Sequence, residues 1–157
     1  MPEGSPETHP CFAFEADFVS SLRCIPMAVR RRLDLAGVKL RLAHWHALEP
    51  TERERLLAWA DDEAAIAELR RWLVERTASM ADGPARTIEP ASGTSWQQAH
   101  QVPDELVASC RQLGIALRQE GWGQLAELQR FALVKLSHPG HEHRNLPRAL
   151  EEFHLLA

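Results

Sequence analysis

The sequence predicts an all-α fold, and three observations predict it. The chain repeats itself without a gap at an offset of 77 residues, the distance from Pro26 to Pro103. Apolar residues recur at helical spacing in most segments. Proline and glycine stand where helices would begin and end. Aligning 25–57 with 102–134 pairs Pro26 with Pro103, Gly37 with Gly114, Leu40 with Leu117, Trp45 with Trp122, Leu48 with Leu125, Arg53 with Arg130 and Leu56 with Leu133. These are helix starts, turns and apolar anchors, so the repeat reports architecture and names no chemistry.

Each element follows from local pattern. Phe14, Phe18 and Leu22, at i, i+4, i+8, predict an amphipathic helix that ends before Cys24-Ile25-Pro26. In the first repeat Pro26 is expected at the first helical position, Val29, Leu33 and Ala36 share a face, and Gly37 closes the helix in the left-handed conformation. Val38–Leu42 alternates as a short extended piece, Trp45 sits in a short helical turn, and Thr51 with Glu54 predicts a capping box for a closing helix. The second repeat runs likewise through Pro103, Leu106, Cys110, Leu113, Gly114, Ile115–Leu117, Trp122 and a closing helix at Leu128–Leu136. Phe131-Ala132-Leu133-Val134 is apolar all round where the first copy carries Glu54-Arg55, so the second closing helix should be the more buried. Glu63–Met80 reads as a helix with Ile66, Leu69, Leu73 and Val74 inward, and the Gly-, Pro- and Ser-rich stretch Ala81–Gln101 as a loop.

The expectation is thus a single helical domain over 12–157, behind a flexible tail at 1–11. It holds two pseudo-symmetric repeats of helix, glycine turn, extended piece, Trp turn and helix, joined by a helix and a loop. The two extended pieces could pair across a pseudo-twofold axis, as in paired EF-hands. Calcium loops are excluded, because only Asp34 precedes Gly37 and Arg111 holds the matching place before Gly114.

Composition narrows the function. A chain of 157 residues buries about 70% of its unfolded surface without metal or disulfide help. Its net charge of -4 supplies no global field for nucleic acid or an anionic membrane. Three widely spaced cysteines, Cys11, Cys24 and Cys110, point to reduced thiols and a cytoplasmic location. The N-terminus has no signal-peptide pattern, and no run approaches the length of a membrane helix.

Several clusters carry residue types capable of chemistry. His138, His141 and His143 lie within the Pro139-Gly140 turn region and offer three imidazoles, but their spacing is neither helical nor paired, which favours a polar turn over a metal site. Cys24 beside Arg23 has the charge for an activated thiol, although no base or oxyanion site accompanies it. Arg30-Arg31-Arg32 fans around its helix, so a solvated face or a patch for an acidic protein fits better than a phosphate clamp. Arg53 and Arg130 are expected to tie the closing helices to the chain near the glycine turns. Trp45 and Trp122 should be core; an exposed Trp59, Trp72 or Trp96 would mark a partner surface. No phosphate loop, H-E-x-x-H or G-x-S-x-G occurs.

Phe14-Glu15-Ala16-Asp17-Phe18, Ser21-Leu22-Arg23-Cys24-Ile25-Pro26-Met27, Lys39-Leu40, Gln129–Leu133 and Pro139-Gly140-His141-Glu142 together resemble the nitrate reductase-associated protein family. The resemblance runs from Phe12 to Phe153. It implies a small soluble accessory protein of assimilatory nitrate reductase, with that molybdenum enzyme or its assembly machinery as partner. It carries over no catalytic residue and no cofactor. At His138 and His143 the chain departs from the family pattern, so a shared metal site over the three histidines is not implied.

The resulting expectation is a non-enzymatic maturation factor, cytoplasmic, binding neither nucleic acid nor membrane. Its partner contacts would fall on Arg23, Cys24, Pro26, Gly140, His141, Glu142, Arg144 and Asn145. The alternative is a small metal- or thiol-dependent enzyme or sensor using Cys24 and the His138/His141/His143 loop.

Overall fold

The computed structural model describes residues 11–19, 24–138 and 141–157, and only the backbone of Asp17, Phe18, His141 and Glu142. The expected tail as far as residue 10, and Leu22, Arg23, Pro139 and Gly140, lie outside the described residues. The chain is mostly helical, with one two-stranded sheet among the described residues. It gathers into two compact units, Met1–Ala91 and Ser92–Ala157.

The first unit opens with a 3-10 turn, Ala13–Glu15, and α1, Ala16–Val19. Then come α2 (Met27–Ala36), β1 (Val38–Lys39), α3 (Leu42–Ala47), α4 (Pro50–Leu57), α5 (Glu63–Thr77) and β2 (Arg86–Thr87). Pro26 stands one place earlier than expected. Its ψ of 154° makes it the residue before the first turn, and its carbonyl accepts from the Val29 and Arg30 amides. The amide of Met27 donates to the buried carboxylate of Glu15 at 3.1 Å, and that of Phe12 donates to the other oxygen at 2.9 Å. A carboxylate at a helix N-terminus also complements the helix dipole.

Helix α2 ends at Gly37, φ 73°. Nη1 of Arg70, from α5, donates to the carbonyls of Ala36, Gly37 and Ile88 there. Beneath lies a core of Val29, Leu33, Val38, Trp45, Leu48, Leu56, Trp59, Leu69 and Leu73, among others. Ile66 and Val74 of α5 are only half-buried.

Helix α4 corrects the expected capping box. The amide of Glu49, not of Thr51, donates to the carboxylate three residues on, at Glu52 Oε1, 2.8 Å away. The reason is Pro50, whose fixed φ and missing N–H suit the first helical position. The loop expected over Ala81–Gln101 also needs correction, since it contains β2 and a 3-10 turn, Ser95–Gln97. Strand β1 pairs antiparallel with β2, Val38 opposite Thr87 and Lys39 opposite Arg86. The extended piece of the first repeat is therefore satisfied inside its own unit rather than by its counterpart in the second.

In the second unit α6 (Asp104–Gln112) follows Pro103, which again precedes the helix in extended conformation. Gly114, φ 69°, closes it: the Gly114 amide donates to Arg111 and the Ile115 amide to Cys110, the paired bonds of a Schellman turn. Leu117 bridges to Leu156, and Trp122 sits in a 3-10 segment, Gln119–Gln124. Then follow α7 (Glu127–Leu136), a 3-10 turn (His141–Asn145) and α8 (Leu146–Glu152). Glycines flank Trp122 where His44 and His46 flank Trp45, which weakens the α-helix in the second Trp turn.

At the 77-residue offset α2 falls on α6, α3 on the Gln119–Gln124 segment and α4 on α7, and Trp45 and Trp122 are both buried. The contrast between closing helices is clear: α4 buries Leu56 alone, whereas α7 buries Arg130, Phe131, Ala132, Leu133, Val134 and Leu136.

Candidate functional site

The residues expected to meet a partner divide between the units. Cys24 and Pro26 belong to the first, Arg144 and Asn145 to the second. Arg23 and Gly140 lie outside the described residues, and His141 and Glu142 are described by backbone alone, in the 3-10 turn that leads into α8. Cys24 is half-buried in the bend before α2. Pro26 is buried, so its part is to set the backbone ahead of α2 rather than to present a surface. Arg144 is exposed, and Asn145 is half-buried at the residue before α8.

The histidines are dispersed in role. His138 is exposed, its Nε2 3.9 Å from Glu105 Oε2, whereas the buried Nδ1 of His143 has no hydrogen-bond partner among the described residues. Among the described residues no three His, Cys, Asp or Glu side chains converge as a metal-binding group. A cavity of 460 Å³ beside the start of α6 is lined by Ser95, Gln98, Gln101, Pro103, Asp104 and Glu105. Ser95 Oγ reaches Glu105 Oε1 at a long 3.4 Å. Ser95 and His138 thus both address the carboxylate, whereas a nucleophile relay would place the imidazole between serine and acid.

The arginine cluster is absorbed by the fold to an extent the sequence does not show. Arg31 pairs with Asp61 at 3.2 Å, and Arg32 donates to the carbonyls of Trp59 (2.7 Å) and Ala28 (2.9 Å). Arg130 likewise serves structure, its Nε donating to Trp96 O (2.9 Å) and its Nη1 to Leu125 O (2.7 Å). It therefore ties α7 to the Trp turn and the Ser95–Gln97 segment, not to the glycine turn. Trp59 and Trp96 are buried; Trp72 is half-buried, tilted against Trp59, with the Arg55 guanidinium over both rings. His44 is buried as well. Its Nδ1 accepts the Arg41 amide, so Nε2 carries the proton donated to Gly83 O.

Two thiols are held protonated. Burial, helped by the negative charge of Glu15, pushes Cys11 up to about 11, and burial raises Cys110. At pH 8 the Cys11 thiolate is then on the order of one part in a thousand. Iodoacetamide should label Cys11 slowly at pH 8, with a rate that climbs about tenfold per pH unit toward 11. Labelling at pH 8 as fast as a free thiol would contradict its burial. The folded chain keeps this proton to higher pH than the unfolded chain, so the associated stability is full below about pH 9 and is lost as pH rises toward about 11.

Fold and site together define a mostly helical protein whose conspicuous polar groups serve caps and ion pairs. No helix among the described residues is long and apolar enough to cross a membrane. The sequence model of the conserved nitrate reductase-associated proteins matches residues 11–153, and the chain belongs to that family. No curated protein and no solved structure matches it.

Proposed function

We propose that this chain is a non-enzymatic accessory factor of assimilatory nitrate reductase, binding that molybdenum enzyme or its assembly machinery in the cytoplasm and supporting its maturation. The observation that carries the reading is the family match across 11–153, whose description ties its members to nitrate reductase. The absorption of Arg32, Glu15 and Arg130 into backbone hydrogen bonds supports a binding rather than a catalytic role. In this reading Arg23 and Cys24, and the Gly140–Asn145 string, carry partner contacts. Arg144 offers an exposed cation, and Cys24 and Pro26 shape the approach to α2.

Deleting the gene tests the proposal. Nitrate reductase activity and growth on nitrate should fall, while growth on ammonium stays normal, and the intact gene should restore both. Unchanged activity in the deletion strain would refute an accessory role. A metal-bound protein whose Cys24 alkylates well below pH 8 would point instead to a metal- or thiol-dependent activity.

A further inference from the structure

The sheet of the first unit sets two cations against each other. Lys39 and Arg86 are directly opposed across the antiparallel pair β1–β2. Residues so opposed share a face with Cβ atoms about 5 Å apart, and like charges in that position repel. Both are exposed, and among the described residues neither has a carboxylate partner. Other cations of the unit are differently placed: Arg31 meets Asp61, Arg41 meets Asp82, Arg76 meets Glu52, and Arg32 and Arg70 donate to carbonyls.

The face is also fixed and partly apolar. Val38, on the opposite side of the pleat, is buried, so Lys39 is directed outward. Ile88 continues the ladder through its amide to Gly37 O at 2.8 Å, and its carbonyl accepts from Arg70. Lying two residues beyond Arg86, it stands on the cation side of the pleat and is 38% exposed.

We propose that this face binds an acidic segment of a partner protein, its carboxylates seated between Lys39 and Arg86 and an aliphatic side chain against Ile88. Charge complementarity selects the occupant: a bound carboxylate relieves a repulsion that the free protein retains. Two cations beside an aliphatic group, on a chain of net charge -4, suit a short peptide better than the many-phosphate footprint of nucleic acid. The proposal rests on the accessory reading only for the choice of nitrate reductase as the protein that presents the segment.

The test is an amide NMR titration of the full chain with a synthetic peptide alternating Glu and Leu, in 50 mM and 300 mM salt, beside a DNA oligonucleotide of equal charge. Shifts should centre on residues 38–39 and 86–88, weaken at the higher salt, and vanish in Lys39→Glu. That variant turns the cross-strand repulsion into attraction, so its Tm should rise by about 1–4 °C, which separates lost binding from unfolding. Shifts centred elsewhere, no shifts, equal response to DNA, or undiminished binding by Lys39→Glu would overturn the proposal. Capture of nitrate reductase that survives Lys39→Glu/Arg86→Glu would also overturn it while leaving the accessory reading standing. Peptide shifts at these residues in a chain that never captures the reductase would support the face and sink that reading.

Discussion

Replacing Gly37 with alanine should destabilise the chain by about 3–4 kcal/mol in urea unfolding, whereas the same change at Gly114 should cost about 1 kcal/mol. Both glycines hold left-handed backbone, φ 73° and 69°, and that cost is common to them. Their surroundings differ. A Cβ on Gly37 would lie 2.4 Å from the Ile88 carbonyl oxygen and 2.5 Å from Nη1 of Arg70, and the first of these is backbone. Relief requires moving the start of β2's continuation or the guanidinium that joins three carbonyls. A Cβ on Gly114 would meet no other part of the described residues within 4 Å. Equal losses at the two sites would contradict the close approach at Gly37.

The second large effect concerns the matched arginines. Arg130→Met should cost about 3 kcal/mol, because it strands the buried carbonyls of Trp96 and Leu125 and loosens the edge-on contact of Trp96 with Phe131, 5.1 Å between centroids. Arg53→Met should change stability by less than about 1 kcal/mol in either direction. Its Nε is already buried without a hydrogen-bond partner among the described residues, so an apolar side chain removes no bond there. Urea unfolding of the two variants side by side decides the matter. A larger loss at Arg53 would reverse the assignment of roles.

These pairs show what the sequence could and could not reveal. The proline–glycine punctuation, the Trp anchors and the apolar α7 were legible because they depend on neighbours within a few residues. Thr51 and Glu54 have the spacing of a capping box, but Pro50 is the stronger local signal and moves the helix start to Glu49–Glu52. Strand β2 was missed because two residues carry no period, and its existence depends on β1 far along the chain. The duties of Arg31, Arg32, Arg70 and Arg130 were hidden for the same reason: a guanidinium's partner is set by tertiary folding. Of the candidate site, Arg144 is exposed and Pro26 is buried. The link to nitrate reductase came from the family strings alone, since no residue geometry in the chain spells out that partner.

Association with nitrate reductase can be read out by co-purification. The chain, tagged at its N-terminus and expressed at native level, would be recovered from nitrate-grown cells under mild salt and the eluate read by mass spectrometry. The reductase polypeptide or a molybdenum-cofactor assembly protein should be enriched over an untagged control. An eluate in which neither rises above that control, from cells that contain active reductase, would contradict the association.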